Sequence, residues 1–204
     1  MKTGMKEIRS KINRMPYGSV FTISDFTNIT EYQNAKKCLT RLEKEGIVRR
    51  IARGIYDKQY FSRTLNEYTS PNIESVAYAI ARNNNWKLAA SGKTALNLLN
   101  LSTQVPYNYE YYSSGQYKTY KIGNISIHFK HKSSKELLGL SYKSSLVVQA
   151  IKELGQKISE LDISKIRNGL SIKERKTLLN EAAGVTKWVY EIIKIICEPE
   201  YDEC

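Results

Sequence analysis

Residues 30–56 read TEYQNAKKCLTRLEKEGIVRRIARGIY and decide the fold of the N-terminal part of the chain. Apolar side chains recur there at the spacing of a helix with one buried face, at Ala35, Cys38, Leu39 and Leu42. Thr30 and Gln33 predict a capping box at the start of this helix, and Gly46 suits its end. Residues 47–56 predict two short strands joined by an arginine-rich turn. A helix followed by a basic β-hairpin is typical of the second half of a winged helix-turn-helix.

The residues before this stretch supply the remaining elements of the same motif. Residues 16–18 end a first helix whose inner face carries Met5, Ile8, Ile12 and Met15. A short strand at residues 19–21 and a shorter helix from residue 22 follow, with Thr22 or Ser24 as the cap. The order of helix, strand, helix, turn, helix and hairpin predicts a winged helix-turn-helix over residues 1–60.

A winged helix-turn-helix places its third helix in the major groove and its wing along the phosphate backbone. Polar side chains opposite the buried stripe would then approach base edges, while arginines of the hairpin would hold phosphates. The predicted DNA-contacting residues are Gln33, Asn34, Lys36, Lys37, Thr40, Arg41, Lys44, Arg49, Arg50 and Arg53. The alternative is a winged helix that binds a protein, whose exposed face is usually more apolar.

The distribution of charge favours a polyanionic partner for the N-terminal part. Residues 1–60 hold 13 lysines and arginines against 6 acidic residues, a net charge of +7, whereas residues 61–204 hold 19 against 14, a net charge of +5. The density of positive charge is therefore about three times higher in the first 60 residues. We expect that partner to be double-stranded DNA.

Length and composition set the outer limits. A chain of 204 residues with 41% hydrophobic and 25% charged residues is in the globular range. It has no apolar run of membrane-spanning length and no signal peptide, so we expect a cytoplasmic protein with no membrane role. The three cysteines, Cys38, Cys197 and Cys204, fit neither a disulfide framework nor a zinc site. Cys38 falls on the buried stripe and is interpreted as a small hydrophobic side chain.

A change of composition divides the chain. Residues 61–70 are polar without a sustained period and predict a linker. Residues 71–204 predict a second domain, in which residues 71–142 hold helices and a three-stranded antiparallel β-meander and residues 143–197 form about four helices. The predicted fold class is α+β, an N-terminal winged helix-turn-helix followed by a mixed domain with a small antiparallel sheet and a C-terminal helical bundle. The acidic tail is expected to fray.

No pattern typical of catalysis emerges from the sequence. Residues 91–94, SGKT, match the end of a phosphate-binding loop, but the glycine needed five residues before Gly92 is Lys87, so we expect a helix N-terminus instead. His128 and His131 face opposite sides of a predicted strand, and no metal site is expected. We therefore expect neither an enzyme nor a cofactor. The six tyrosines between residues 107 and 120 either form a binding face or pack under helices with their hydroxyls in solvent.

Two segments carry a resemblance to a known family. The first is residues 18–56, with the closing tetrapeptide RGIY at residues 53–56. The second and more specific is ASGKTALNLLNLSTQVP at residues 90–106, followed by a tyrosine-rich strand and an Ile-Gly-Asn hairpin. Both resemble AbiEi-type antitoxins of abortive-infection toxin–antitoxin systems. Asn100 stands where that family carries glycine, and the helical C-terminal third has no matching motif.

The resemblance implies a bacterial antitoxin of an abortive-infection pair, active in phage defence. Its winged helix would repress its own operon as a DNA-binding transcriptional regulator, and the remaining residues would counter a nucleotidyltransferase toxin, with or without a stable complex. The residues alone predict only the DNA-binding half. Two alternatives stay open at this point: a stand-alone winged-helix repressor, and an interaction module that binds protein and not DNA. The sequence does not fix the oligomeric state.

Overall fold

A computed structural model describes residues 2–102, 104, 106–133 and 139–198. Helices alternate with small sheets along these ranges, which confirms the predicted α+β class. No helix in them has both the length and the apolar character needed to cross a bilayer. The tail expected to fray, including Cys204, lies beyond residue 198 and outside the described residues. The chain divides into two compact units, which are described separately.

The first unit comprises Met1–Trp86 together with Tyr120–Ile127. It begins with two helices, three strands and one turn of 3-10 helix: α1 Lys2–Arg14, β1 Val20–Thr22, the 3-10 turn Ile23–Phe26, α2 Tyr32–Lys44, β2 Arg49–Ala52 and β3 Ile55–Asp57. It continues with β4 Phe61–Ser62, β5 Glu67–Tyr68 and α3 Ile73–Asn83. Strands β1 and β2 both pair with β3 in antiparallel fashion, so β3 lies at the centre of a three-stranded sheet.

The predicted apolar faces form the core of this unit. Ile8 and Ile12 of α1 meet the stripe of α2 and the aromatic residues of the sheet. The Phe21 ring packs edge-on against Phe26, with ring centroids 5.5 Å apart. Cys38 is buried in the same cluster, as its place on the stripe predicted. Burial of the stripe explains the helix better than propensity does, because α2 is only 13 residues long.

The caps of these helices were only partly predictable. Thr22 caps the 3-10 turn through a capping box with Asp25, as one of the two predicted candidates. The predicted box of Thr30 and Gln33 is wrong. The Thr30 N–H donates to the carbonyl of Phe26 at 3.3 Å, so Thr30 belongs to the preceding turn. Helix α2 therefore begins at Tyr32, after Glu31.

The compact units differ from the predicted boundaries. Residues 61–70, predicted as a linker, contain the hairpin of β4 and β5, in which Phe61 faces Tyr68. Helix α3, predicted to begin the second domain, packs against β1 and β3. The Arg82 guanidinium at the end of α3 binds both carboxylate oxygens of Asp25, at 2.8 and 2.9 Å. These contacts place residues up to Trp86 in the first unit.

The second unit comprises Lys87–Thr119 and His128–Cys204. Its elements are β6 Leu88–Ala90, α4 Gly92–Leu98, β7 Asn108–Ser113, α5 Tyr142–Leu154, α6 Glu160–Asn168, α7 Ile172–Glu181 and α8 Lys187–Cys197. Strands β8 Lys118–Ile122 and β9 Ile125–His131 have residues in both units. Helices α5 to α8 enclose an apolar core that includes Ile151, Ile166 and Ile193. The breaks at Gly155, residues 168–169 and Gly184 separate these helices as predicted.

The predicted β-meander is wrong in its strand order. The sheet runs β6-β7-β9-β8, so β9 and not β8 lies beside β7. Contacts between Glu110 and Lys130, and between Ser113 and Lys132, advance in the same direction along β7 and β9, as in a parallel pair. The side chains explain this order, because β9 buries Ile127 and Phe129 whereas β8 exposes lysines, which suit an edge strand.

Residues 91–94 form the start of α4, as predicted. Ser91 is the residue before the helix. The Thr94 hydroxyl accepts a hydrogen bond from the backbone N–H of Glu110 at 2.9 Å. Helix α4 packs closely on α5. A side chain at Gly92 would place its Cβ 2.6 Å from the Cβ of Glu153, so the helices meet where only glycine fits. The tetrapeptide is therefore explained by packing.

Candidate nucleic-acid interface

Helix α2 presents one polar face to solvent. The apolar stripe of Ala35, Leu39 and Leu42 is fully buried, and the opposite face carries most of the predicted DNA-contacting side chains. Gln33, Lys36, Lys37, Thr40, Arg41 and Lys44 are exposed, and Asn34 is partly buried. Because residues three and four apart share a helix face, these side chains form a continuous polar surface. Six cationic and amide side chains on that surface can bind phosphates or base edges.

Two arginines extend the basic surface onto the hairpin of β2 and β3. Arg50 faces Tyr56 across the hairpin and is exposed, and Arg53 is exposed in the turn. Gly54 in this turn has a φ of +77°, a conformation that other residues adopt only with strain. In the part of the chain that the structure describes, no carboxylate pairs with Arg50 or Arg53. Their charge remains available to an anion.

Arg49 occupies a different environment. Its guanidinium binds both carboxylate oxygens of Asp57, at 3.1 and 2.5 Å, and donates to the carbonyl of Thr69 at 3.0 Å. The Asp57 side chain is 1% exposed and that of Arg49 is 29% exposed. A bidentate pair with a buried carboxylate occupies the donors that a phosphate would need. The position of Arg49 thus favours a structural role, and the structure does not place it with the exposed cations.

Tyr56 connects the helix to the hairpin. Its ring is buried and lies parallel to Phe21, with the ring centroids 6.4 Å apart. Burial raises the pKa of Tyr56 above its ordinary value, while the nearby charge of Arg50 and a hydrogen bond with Thr40 oppose that rise. One tyrosine hydroxyl therefore lies beside Thr40 of α2 and Arg50 of β2. Tyr56 thus lies close to one predicted contact residue on each element, a neighbourhood that no sequence pattern indicated.

The other edge of the helix face borders a small cavity. Asn34, Lys37 and Arg41 line it together with Gly4 and Met5 at the start of α1. Its volume is about 120 Å³. The cavity is continuous with the exposed face of α2, and its lining holds two cations and an amide. We regard it as part of the same interface.

Three nearby acidic residues have partners away from this face, whereas Glu43 of α2 lies close enough to Tyr56 to raise its pKa. Glu45 pairs with Arg9 of α1, Asp25 with Arg82 of α3, and Asp57 with Arg49. Burial opposes ionisation of Asp25, but hydrogen bonds from Arg82 and Thr22 and the charge of Arg82 hold its pKa below the ordinary value. These three carboxylates have partners other than the cations of α2. The four cations of α2, together with Arg50 and Arg53, thus outnumber Glu31 and Glu43, the remaining carboxylates of residues 30–56, and the net charge of the interface stays positive.

The residues considered for metal binding lie elsewhere. His128 is close to Thr119 Oγ1 at 3.0 Å and to Asn108 Oδ1 at 3.3 Å, and the His131 ring lies 2.8 Å from the carbonyl oxygen of Gly115. No cluster of three or more potential metal ligands occurs in the described ranges.

Among the tyrosines between residues 107 and 120, Tyr111 is buried against Phe129 with ring centroids 6.2 Å apart, whereas Tyr107 and Tyr117 are exposed.

Comparison with known proteins gives a family but no function. The sequence model of a family of unknown function, DUF6088, matches residues 7–178. The chain belongs to this family. The DUF6088 match includes all of α2, the hairpin of β2 and β3 and the SGKT tetrapeptide. No curated protein matches the chain.

The DUF6088 chain has a distant likeness to a solved structure. The crystal structure of the RV2827C protein from Mycobacterium tuberculosis aligns with 96% of this chain and 76% of that chain. The sequence identity is 11% and the TM-score is 0.41. A likeness this distant carries no information about what the DUF6088 chain binds.

Proposed function

We propose that this DUF6088 protein binds double-stranded DNA through the exposed face of α2 and the hairpin of β2 and β3. In this proposal it is a transcriptional autoregulator of its own operon and has antitoxin activity. The single observation that carries the DNA-binding part is a surface of exposed cations, which lies on α2 and continues to Arg50 and Arg53 of the hairpin. No carboxylate among the described residues pairs with Arg50 or Arg53, and Tyr56 lies close to both Thr40 and Arg50.

The order of elements supports a winged helix-turn-helix as the DNA-binding motif. Helix α1, strand β1, the 3-10 turn, helix α2 and the hairpin follow one another in the sequence of that motif. In such a motif the face of α2 enters the major groove and the hairpin follows the backbone. Lys37 and Thr40 would then lie toward base edges, with Arg50 and Arg53 on phosphates.

The antitoxin part of the proposal rests on the resemblance of residues 90–106 to AbiEi-type antitoxins. The partner would be a nucleotidyltransferase toxin encoded by the same operon. A nucleotidyltransferase reading frame directly beside the gene would support this part. Its absence would favour a stand-alone repressor, the second candidate, because that function needs only the DNA-binding unit.

The proposed DNA binding is tested with the full-length protein and a labelled duplex from upstream of its own gene. We expect affinity to fall steeply as salt rises, because bound lysines and arginines release counterions from DNA. Lys37→Ala should weaken binding to that duplex, whereas Lys173→Ala, an exposed lysine of α7, should leave it unchanged. Affinity that is independent of salt, or no duplex binding at all, would support the protein-binding alternative.

The regulatory part is tested in cells. A reporter fused to the upstream region should be repressed by the wild-type chain and not by Lys37→Ala. When the adjacent nucleotidyltransferase is expressed, both the wild-type chain and Lys37→Ala should restore growth, because Lys37 lies in the proposed DNA interface and not in the second unit. Repression of the reporter without protection from the nucleotidyltransferase would support the stand-alone repressor and exclude the antitoxin role.

A further inference from the structure

An open groove lies beside the hairpin of β4 and β5 in the first unit. Four aromatic rings border it, from Tyr17, Tyr60, Phe61 and Tyr68, and its volume is about 940 Å³. These side chains are 67%, 49%, 41% and 57% exposed, in that order. We call this feature the aromatic groove. None of the four rings belongs to the apolar core of the unit, so burial within this unit does not explain them.

The rings are arranged in two pairs. The centroids of Tyr17 and Tyr60 lie 6.0 Å apart, and those of Phe61 and Tyr68 lie 5.1 Å apart at 74°. Phe61 and Tyr68 are directly opposite in the two-stranded sheet. The Thr69 amide and hydroxyl both donate to the carbonyl of Tyr60, at 2.9 and 3.2 Å, which fixes the base of the hairpin. The aromatic surface is therefore supported by backbone contacts.

The charge of the groove is positive. The Lys58 ammonium donates to the carbonyls of Asn13 and Met15, both at 2.8 Å, and lies 4.6 Å from the centre of the Tyr17 ring. Arg63 also lines the groove and is exposed. Aspartate and glutamate do not occur among the described residues that line it. Amide side chains of Asn13 and Gln59 add donors and acceptors.

We infer that the aromatic groove binds unpaired nucleotides of a single-stranded nucleic acid. Exposed rings provide stacking surfaces for bases, and interleaved cations attract the phosphates between them. Base pairs within a duplex are already stacked on both faces, so aromatic stacking selects unpaired bases. Positive charge with no carboxylate among the described lining residues favours this polyanionic occupant over a neutral apolar surface of a protein.

The aromatic groove is separate from the duplex interface proposed above. It is lined by residues at the end of α1, after α2 and in the β4–β5 hairpin, and by none of the exposed residues of α2. Tyr60 and Arg63 can thus be changed without removing a predicted duplex contact. Single-strand binding and duplex binding succeed or fail independently.

The inference is tested by fluorescence anisotropy with the full-length protein and two short labelled probes, an oligodeoxythymidine and an oligouridine. Equal affinity would assign the groove to single strands in general, and a preference would assign it to DNA or RNA. Tyr60→Ala should weaken binding of the preferred probe about tenfold, whereas Tyr60→Phe should bind like wild type, because the ring is retained. Arg63→Gln should reduce the dependence of affinity on salt.

A matched control is Tyr117→Ala, which removes a tyrosine that is 74% exposed in the second unit. It should leave both probes unaffected, and Tyr60→Ala should leave duplex affinity unchanged. If thermal unfolding shows that Tyr60→Ala is destabilised, Tyr17→Ala replaces it as the test. Failure of wild type to bind either probe, or equal losses for the groove variants and Tyr117→Ala, would overturn the inference and leave the groove as a protein contact.

Discussion

Two arginines of the second unit and two of the first serve opposite purposes. In the second unit, Arg167 donates to the carbonyls of Ile195 and Ile196 at the end of α8, and Arg175 donates to that of Arg167 at the end of α6 and to that of Leu170 just after it. The carbonyls of Arg167, Ile195 and Ile196 lie in the last turns of helices, where intrahelical amide partners run out, although the Arg167 carbonyl also accepts from the Leu170 amide at 3.1 Å. In the first unit, Arg50 and Arg53 remain exposed. Among these four arginines, only the two that are not bound within the fold are available to a DNA phosphate.

Arg49 allows the sharpest test of this difference, because it lies in the first unit and, like Arg9 and Arg82, is bound within the fold. Arg49→Ala should lower the free energy of unfolding by about 3 kcal/mol, since it leaves the buried Asp57 carboxylate without its cation. Adding Asp57→Asn should restore part of this loss. Urea unfolding of both variants and of Arg50→Ala measures the difference. An equal loss for Arg50→Ala would remove the distinction between the two arginines.

The second unit offers the next largest effect. Arg175→Ala should lower the free energy of unfolding of this unit by about 2 kcal/mol, because the carbonyls of Arg167 and Leu170 lose a charged donor. The fluorescence of Trp188, which packs against this core, reports unfolding of this unit when Trp86→Phe removes the other tryptophan. Lys176→Ala removes an exposed neighbouring cation and is the control. Duplex affinity should be the same for the Trp86→Phe protein and for the Arg175→Ala and Lys176→Ala variants made in it. A lower affinity for Arg175→Ala would mean that an arginine bound within the second unit also contributes to duplex binding.

The exposed arginines should show the reverse behaviour. Arg50→Ala combined with Arg53→Ala should weaken duplex binding about tenfold and lower the slope of log affinity against log salt by about 2, close to one per lost phosphate contact. The change in unfolding free energy should stay within about 0.5 kcal/mol, as for other surface substitutions. Anisotropy at several salt concentrations gives the slope. A stability loss as large as that of Arg49→Ala would mean that these arginines are also structural.

The smallest effect is expected at Asp25. Its pKa is lowered in the folded protein, so its ionised form stabilises the fold at neutral pH, and that contribution disappears on acidification below about pH 4. Because the Arg82 side chain is 53% exposed, solvent screening should keep this contribution below about 1 kcal/mol. Asp25→Asn should be slightly less stable at neutral pH and lose less stability in acid. Urea midpoints of the wild type and Asp25→Asn, measured at neutral pH and below about pH 4, test this, with Glu67→Gln as an exposed control.

Periodicity explains which parts of the fold could be predicted. The stripe of α2, the inner face of α1 and the four C-terminal helices follow from apolar spacing, because a helix fixes which residues share a face. The hairpin follows from the two extended segments around Gly54. Burial of Cys38 and exposure of Lys36 and Lys37 were predictable for the same reason.

Partners distant in sequence explain what could not be predicted. Nothing local indicates that Arg49 would bind Asp57 and Thr69 while Arg50 stays exposed, because this depends on the hairpin register and on residues beyond it. The central place of β9 depends likewise on the pairing of whole strands. Strands β4 and β5 have two residues each, too few to show a period, so their aromatic residues were interpreted as a linker.

The boundary near residue 60 illustrates the same difficulty. A fragment of residues 1–60 would lack the Thr69 carbonyl that Arg49 binds and the Arg82 side chain that binds Asp25. The drop in charge density therefore marks a change in surface composition and does not mark the end of a folding unit. Experiments that separate duplex binding from protection require point substitutions in the full chain.

The missing side chain at Gly92 has a consequence for inheritance. Any added carbon would meet the Cβ of Glu153, so descendants that keep α4 and α5 in contact should keep glycine here, whatever they bind. Ser91 and Thr94 are tied to the same helix start. A tetrapeptide that looks like a nucleotide-binding signature can thus persist through a lineage for reasons of helix contact. Searches for phosphate-binding motifs would then repeatedly retrieve such sequences.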